Sequence, residues 1–180
     1  LMWHEIVNDE IDGENIAVTF CPLCGSSITY KRTIDSEVIR FGVSGKLYNS
    51  NLLMYDDLTE SLWSQSIGEA VVGDKLGTQL ELYRSDIMSY GSFKNLYPKG
   101  VVLSDDTWEW RTYGRQPYGN YADNDDLYFP VNHEDVRLPR KTLLYIINDG
   151  DLSVAFVRSG LVEVGEASIQ IEDKIYTAVY

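Results

Sequence analysis

Apolar and polar residues alternate over many short segments of this chain, which predicts a protein built mainly from β-strands. Turns rich in Gly, Asn and Asp separate the segments, as at Asp12-Gly13 and Asp149-Gly150. This spacing favours an α+β fold that is predominantly β, with a mainly antiparallel sheet or barrel-like core. Strands are predicted at residues 16–20, 27–32, 38–43, 52–56, 61–64, 70–73, 79–83, 101–104, 143–147, 152–157, 166–172 and 174–179.

One helical pattern stands out against this background. A helix is predicted near residues 86–97, with Ser85 as its N-cap and Pro98 as the residue that ends it. An apolar stripe in residues 1–7 is also compatible with the end of a helix. The expected buried face of the main helix consists of Ile87, Met88, Phe93, Leu96 and Tyr97.

Residues 105–140 combine many aromatic side chains with Gly, Asn, Asp and Pro. A stretch with so much apolar surface is predicted to be an ordered loop that covers the core of a single domain, residues 1–180. Its aromatic residues are Trp108, Trp110, Tyr113, Tyr118, Tyr121 and Tyr128.

The net charge of −13 limits the classes of partner. Such a surface repels nucleic-acid phosphates and anionic lipids, so we expect no nucleic-acid partner. No apolar run approaches the length that spans a bilayer, so no membrane insertion is expected within this chain. The chain begins at Leu1-Met2-Trp3, in the middle of a pattern, and we expect it to be truncated at its N-terminus.

The two cysteines of the chain lie together in Cys21-Pro22-Leu23-Cys24-Gly25. Strand-like segments flank this motif, whereas the Cys pair of thioredoxin-like enzymes opens a helix. A strand–turn–strand motif of this kind is typical of metal-binding knuckles, in which Gly lets backbone N–H groups face the thiolates. The same two thiols can also form a redox-active disulfide, and the sequence leaves both chemistries open.

A metal site needs further ligands, and the chain offers two histidines. His4 is the better candidate, because the segment that contains it leads directly into the cysteine turn, whereas His133 lies in an acidic loop. Met54 could add a thioether or simply fill the core. Met54, Trp63 and Gln65 are the candidates to line a pocket beside the turn. Two thiolates and an imidazole suit copper or zinc.

Hydrolytic signatures are incomplete in this chain. The segment 42–45 (GVSG) lacks the full spacing of a nucleophile elbow. The segment 4–8 (HEIVN) lacks the second histidine of a zinc-protease helix.

Several motifs, taken in order, closely resemble the bacterial and archaeal family known as domain of unknown function 3179. The resemblance implies an exported protein, located in the periplasm, on the cell surface or outside the cell. It implies no activity, because the function of the family is not established. The motifs are WHEIVND at 3–9, VTFCPLC at 18–24, FGVSGKLYNS at 41–50, LWSQ at 62–65, GEA at 68–70, YPKGVVLS at 97–104, YGRQPY at 113–118 and FPV at 129–131.

These observations predict an exported metal-binding domain with Cys21, Cys24 and His4 as ligands of copper or zinc. One alternative is a thiol–disulfide oxidoreductase that uses the same Cys pair, and another is a structural or partner-binding domain. If the turn is a knuckle, its two sulfur atoms should lie within about 4 Å of each other, as two ligands of one tetrahedral ion do. His4 should then face the same side of the turn.

Overall fold

The computed structural model describes residues 1–107 and 110–180. These residues form two compact units, Leu1–His133 and Glu134–Tyr180, which we call unit 1 and unit 2. Each unit has a hydrophobic core of its own. The single domain expected over residues 1–180 stays a prediction.

Unit 1 begins with a three-stranded antiparallel sheet in which each strand pairs with the next. Its strands are β1 (Ile6–Ile11), β2 (Glu14–Cys21) and β3 (Ser26–Lys31). The predicted Asp12-Gly13 turn joins the first two strands, and the cysteine motif joins the second and third. The strand–turn–strand setting of the two cysteines is therefore confirmed.

A short hairpin, β4 (Thr33–Ile34) and β5 (Glu37–Val38), leads to a second antiparallel sheet. This sheet is a four-stranded meander in which neighbours in sequence are neighbours in space. A bulge in its first strand, at Ser44-Gly45, is accommodated by the positive φ of 71° at Gly45. The strands are β6 (Phe41–Tyr48), β7 (Asn51–Asp56), β8 (Leu62–Ser64) and β9 (Ala70–Val72).

The two sheets of unit 1 contribute side chains to one core. Alternate residues of β2 are buried because one face of the sheet packs inward. Strand β7 is buried at five of its six positions, since it lies between β6 and β8. The core consists of Ala17, Cys21, Leu23, Tyr30, Ile39, Phe41, Leu52, Met54, Trp63, Ala70, Leu80 and Tyr121.

The helix expected near residues 86–97 is shorter than predicted. Helix α1 spans Tyr90–Leu96, and Ser89 rather than Ser85 caps it, accepting a 3.0 Å hydrogen bond from the Ser92 N–H. None of its residues is buried, so the expected buried face was wrong. The helix begins after the Ser whose hydroxyl accepts a hydrogen bond from a free N–H of the first turn. The spacing of apolar residues does not show which Ser this is.

Three predicted strands also differ from the structure. The segment 38–43 is divided between β5 and β6. The segment 79–83 makes only isolated bridges, Glu69 with Gln79 and Tyr30 with Leu82, and the segment 101–104 is not a strand. At the N-terminus, a turn precedes β1 in place of the expected helix end.

The aromatic segment 105–140 contains one 3₁₀ turn, Tyr121–Asp123. Tyr121 is buried and Tyr118 packs against the core of unit 1. Trp110, in contrast, is 97% exposed, and Trp108 lies outside the described residues. An ordered cover over the core therefore stays a prediction for this segment as a whole.

Unit 2 consists of two hairpins with a helix between them. Strands β10 (Leu144–Asp149) and β11 (Leu152–Val157) form the first hairpin, and β12 (Glu166–Ile171) and β13 (Lys174–Val179) form the second. The strands of both hairpins were predicted, and so was the first turn, at Asp149-Gly150. Helix α2 (Arg158–Val164) was not predicted. The core consists of Val154, Phe156, Leu161 and Tyr176.

The fold is thus β-rich and antiparallel, as predicted. Every sheet in residues 1–107 and 110–180 is open, so the barrel-like alternative is not observed there. Two helices are present in these residues instead of the one expected. Neither of these two helices is long and apolar enough to cross a membrane.

Candidate functional site

The turn between β2 and β3 brings the sulfur atoms of Cys21 and Cys24 to 3.3 Å from each other. The Cys24 N–H donates to the Cys21 carbonyl at 3.1 Å, which closes the turn. Gly25 follows with a φ of +63°, a left-handed conformation that Gly adopts without steric cost. Both cysteines are free thiols, and their separation lies within the 4 Å expected of a knuckle.

The two sulfur-bearing side chains differ in their access to solvent. Cys21 is only 1% exposed and belongs to the core of unit 1, whereas Cys24 is exposed. This difference follows from the strand pattern, because Cys21 is the last inward-facing residue of β2 and Cys24 lies in the turn beyond it. An approaching ion or thiol therefore meets Cys24 first.

The hydrogen bond between the two sulfur atoms moves their pKa values in opposite directions. The hydrogen bond from Cys24 lowers the pKa of Cys21 to about 6, against the opposing effect of burial; backbone N–H groups of Leu52, Cys24 and Leu23 add to the lowering. The same hydrogen bond raises the pKa of Cys24 above its usual range. Protonated Cys24 can also donate to the Ser50 carbonyl oxygen, 3.5 Å away.

A buried pair of amides supports the exposed cysteine. The Asn51 Nδ2 group, at the start of β7, lies 3.3 Å from the Cys24 sulfur and donates to it. The same nitrogen donates to Gln65 Oε1 at 2.9 Å. Gln65 is fully buried and follows β8 directly, so adjacent strands of the meander hold both amides beside the cysteine turn.

Unit 1 anchors Gln65 on every polar atom of its side chain. Its Oε1 atom also accepts from the Ser26 hydroxyl at 2.9 Å, and its Nε2 group donates to Thr19 Oγ1 at 3.1 Å. Its backbone carbonyl accepts a 3.0 Å hydrogen bond from the Tyr30 hydroxyl. The amide is therefore fixed in one orientation, because exchanging its O and N atoms would break these bonds.

Ionisable side chains also lie close to the two thiols. The Tyr118 hydroxyl donates to Glu5 Oε1 at 3.4 Å. Burial raises the pKa of Tyr118, and the negative charges of Glu5 and Cys21 raise it further. Burial likewise raises the pKa of Tyr121, with contributions from Cys24 and Cys21. Burial raises the pKa of the Glu5 carboxyl group as well.

One family model matches residues 1–180, the whole chain. It is described as "Protein of unknown function (DUF3179)". The chain belongs to this family. A search of curated proteins and a search of solved structures each gave no match. Family membership confirms the resemblance seen in the sequence motifs, and the DUF3179 description assigns no activity.

The structure does not add His4 to the cysteine pair of this DUF3179 chain. His4 Nε2 lies 2.6 Å from the Tyr113 hydroxyl and is hydrogen-bonded to it. His133 is an exposed loop residue. Within residues 1–107 and 110–180, no three His, Cys, Asp or Glu side chains form a group that could hold a metal ion. A metal ligand role for His4 stays a prediction.

The three residues expected to line a pocket have different environments. Met54 is fully buried in the core that contains Cys21. Trp63 packs edge-on against Phe41 and donates from Nε1 to Asp56 Oδ2 at 2.9 Å. Only Gln65 is joined to the cysteine pair by hydrogen bonds, through Asn51. A pocket formed by all three residues stays a prediction.

Sequence reasoning missed several residues of this site. Asn51 follows directly after a family motif that ends at Ser50, and its position at the start of a strand was the available signal. Thr19 and Ser26 lie on the strands that flank the cysteine turn, where alternation indicates only which face they occupy. Tyr118 and Glu5 are far apart in sequence, so their hydrogen bond had no local signal.

The thiols of Cys21 and Cys24 are suited to be two of the ligands of a soft metal ion. The two thiols lie on the same side of a turn, and backbone N–H groups already stabilise a negative charge on Cys21. Thiolate sulfur favours copper(I) and zinc over hard cations. Cys24 is exposed, so an ion from solution could reach the pair without the core opening.

Proposed function

We propose that this protein binds a soft metal ion, copper or zinc, through the thiolates of Cys21 and Cys24. The observation that carries the proposal is the 3.3 Å separation of two free thiols, which places their sulfur atoms in hydrogen-bond contact. An ion that replaces the thiol protons meets two sulfur ligands. For a tetrahedral ion the two sulfurs need to separate by about half an ångström to lie about 2.3 Å from it. A two-coordinate copper(I) ion needs a wider separation, because its ligands lie on opposite sides.

Copper(I) fits the pair better than zinc. A structural zinc site takes four protein ligands, and a catalytic one takes three. Copper(I) is stable with two sulfur ligands, and in the described part of the chain the two thiols have no third partner of the usual metal-binding types. The chain's own residues would hold such an ion by two sulfurs, while Asn51 and the backbone N–H groups offset the thiolate charge.

Metal analysis of protein purified under reducing, oxygen-free conditions tests this proposal. We expect one copper(I) ion per chain, held against a competing chelator, and loss of this binding in a double variant, Cys21→Ser with Cys24→Ser. His4→Ala should retain the affinity for copper(I) if the imidazole stays with Tyr113. Copper retained equally by the double variant would contradict the proposal.

Thiol–disulfide exchange is a second candidate function, favoured by the exposure of Cys24 next to buried Cys21. After its proton passes to the Cys21 thiolate, the Cys24 thiolate would attack a substrate disulfide, forming a mixed disulfide and releasing one substrate thiolate. That substrate thiolate would take the proton from Cys21, and the Cys21 thiolate would then attack the Cys24 sulfur, closing the pair and releasing the second substrate thiolate. Two electrons pass from the dithiol to the substrate in this sequence.

A Cys21→Ser variant separates the two candidates. If the pair exchanges disulfides, this variant should accumulate a stable mixed disulfide on Cys24 when a disulfide substrate is added. If the pair only binds metal, oxidised glutathione should react with it no faster than with an exposed cysteine in a peptide. A protein that neither binds copper or zinc nor exchanges disulfides would leave the structural or partner-binding role.

We also propose that the protein is exported, as its resemblance to the family implies. The strongly acidic surface, with a net charge of −13, suits a salty medium. Fractionation of cells that express the full-length protein tests this location. Recovery in the cytoplasmic fraction would contradict it.

A further inference from the structure

The side-chain amide of Asn51 has only one orientation compatible with its surroundings. Its Oδ1 atom accepts the Ser66 backbone N–H at 3.0 Å, so its Nδ2 group must face the Cys24 sulfur and Gln65 Oε1. One amide hydrogen is available for each of these two acceptors. The hydrogen that points at Gln65 therefore fixes the direction of the hydrogen that points at Cys24.

The hydrogen bonds of Gln65 fix the orientation of its side-chain amide in turn. The Thr19 hydroxyl donates to the Ile28 carbonyl at 2.6 Å and accepts from Gln65 Nε2. Gln65 Oε1 is thereby left as an acceptor for Asn51. Both bonds of Asn51 are donated by one nitrogen, so the groups that hold Gln65 affect the bond to Cys24 by fixing the orientation of the Asn51 amide.

We propose that Gln65 is a positioning residue that acts through Asn51 to stabilise the reduced state of the cysteine pair. Asn51 donates to the Cys24 sulfur of the free thiol form. A disulfide sulfur is a poorer acceptor than a thiol or thiolate sulfur, so this hydrogen bond favours the reduced pair. A contact made only by the reduced form shifts the equilibrium between disulfide and dithiol toward the dithiol.

This inference deepens the proposed function, because only the reduced pair can bind copper or zinc. The Gln65–Asn51 connection would keep the two sulfurs available in surroundings that oxidise thiols. It does not depend on the outcome of the metal experiment, since the equilibrium between dithiol and disulfide is measurable on protein that holds no metal.

The test is equilibration of the protein with mixtures of reduced and oxidised glutathione at constant pH. Each closed pair transfers two electrons and two protons to one oxidised glutathione, which yields two glutathione thiols. Alkylation followed by mass measurement gives the fraction of protein with free thiols. In Gln65→Met, we expect the equilibrium to shift roughly 3–10-fold toward the disulfide, the scale of one lost hydrogen bond. This corresponds to about 15–30 mV.

A double variant distinguishes positioning from a general structural effect. If Gln65 acts through Asn51, Gln65→Met should shift the equilibrium much less in the background of Asn51→Ala than in the natural chain. Gln79→Met is the matched control, since Gln79 is an exposed amide of the same unit that donates to the Ile67 carbonyl. The control should leave the glutathione equilibrium unchanged.

The folded state of each variant is checked by its circular dichroism and thermal unfolding. If Gln65→Met does not fold, Thr19→Val replaces it. That change removes the hydroxyl that accepts from Gln65 Nε2 and donates to the Ile28 carbonyl, keeps Gln65 itself, and should give a smaller shift in the same direction. A folded variant whose equilibrium lies within experimental error of the natural chain overturns the proposal. Fully additive shifts from Gln65→Met and Asn51→Ala overturn it as well. A failure to bind copper or zinc with the predicted shifts intact would refute only the metal proposal.

Discussion

At the scale of single residues, Cys21 and Cys24 have the same side chain and opposite environments. Cys21 gains its negative charge at the lower pH because a neighbouring thiol and three backbone N–H groups point at its sulfur. Cys24 keeps its proton because Cys21 holds it. Their opposite pKa shifts predict an effect on stability that an isolated cysteine would not have.

The first prediction concerns stability against pH in reduced, metal-free protein. The folded pKa of Cys21 is about 6, below its ordinary value near 9, so its contribution is present above pH 9 and is lost as the pH falls through 6. The pKa of Cys24 is raised, so its contribution is present below 9 and is lost above it. The free energy of unfolding should therefore increase from about pH 6 to about pH 9 and decrease beyond it.

Urea unfolding at several pH values measures this effect. The double variant with Cys21→Ser and Cys24→Ser is the control, because it keeps every other titrating group of the chain. Subtracting its pH profile isolates the contribution of the two thiols. If the free energy of unfolding depends on pH in the same way in both proteins, the opposite pKa shifts of Cys21 and Cys24 are contradicted.

The second prediction concerns Asp56, a buried carboxylate. It accepts hydrogen bonds from Trp63 Nε1, from the Leu58 and Thr59 N–H groups and from the Thr59 hydroxyl. Asp56→Ala leaves the buried Trp63 N–H without this acceptor. The free energy of unfolding should fall by about 2–3 kcal/mol, the cost of an unsatisfied buried group.

Chemical denaturation of Asp56→Ala measures this loss. Asp74→Ala, on an exposed turn of the same unit, is the matched control and should stay within about 0.5 kcal/mol of the natural chain. Equal losses in the two variants would contradict the role assigned to the Trp63–Asp56 bond.

The sequence predicted the two thiols, their setting between strands and their close spacing, because all three depend on residues adjacent in the chain. The amide pair of Asn51 and Gln65 was only partly accessible. Gln65 was predicted near the turn, but its link to Cys24 through Asn51 depends on how β7 and β8 pair. His4 was chosen because it lies within a family-like motif and near the cysteine turn in sequence, and its hydrogen-bond partner is Tyr113.

At the scale of elements, turns were the reliable signal and helix ends were not. Hairpins with Asp-Gly turns were predicted at Asp12-Gly13 and Asp149-Gly150 because such residues tolerate the positive φ that tight turns require. Helix α2 has seven residues between two strands, too few for a clear helical period. It is defined by packing, since Leu161 is its buried residue.

The third prediction follows from that packing. Leu161→Ala removes a side chain that is 2% exposed from the small core of unit 2. We expect a loss of about 2–4 kcal/mol in the stability of unit 2. The neighbouring change Val162→Ala removes an exposed side chain from the same helix and should have little effect.

Hydrogen exchange of the β11 and β13 amides, read residue by residue, measures this loss within unit 2. Leu161→Ala should weaken their protection, and Val162→Ala should leave it nearly unchanged. Protection that stays the same in Leu161→Ala would mean that this side chain does not support the core.

At the scale of the whole molecule, the excess of acidic residues is the dominant property. The chain carries 28 Asp and Glu against 15 Lys and Arg. The ion pairs of the described residues lie at exposed or partly exposed side chains, as for Lys31 with Glu81, so they contribute little to stability. Repulsion among the remaining carboxylates opposes the compact state.

The fourth prediction is that added salt stabilises this protein at neutral pH. Raising the ionic strength from about 0.01 M to about 0.15 M shortens the screening length from about 30 Å to about 8 Å, which weakens repulsion between carboxylates. The thermal unfolding midpoint should rise accordingly. Sodium chloride is the suitable salt, and an uncharged osmolyte at equal osmolality controls for effects that do not depend on charge.

The unequal exposure of the two sulfurs has a kinetic consequence. A site with two equivalent thiols could capture and release its guest by either atom. Cys21 is closed off by the core, and, if the pair binds a metal ion as proposed, the ion would arrive and leave through Cys24. A second molecule that offers its own thiol at Cys24 would then take over the ion one bond at a time, which would suit the turn to transfer between proteins rather than to permanent storage.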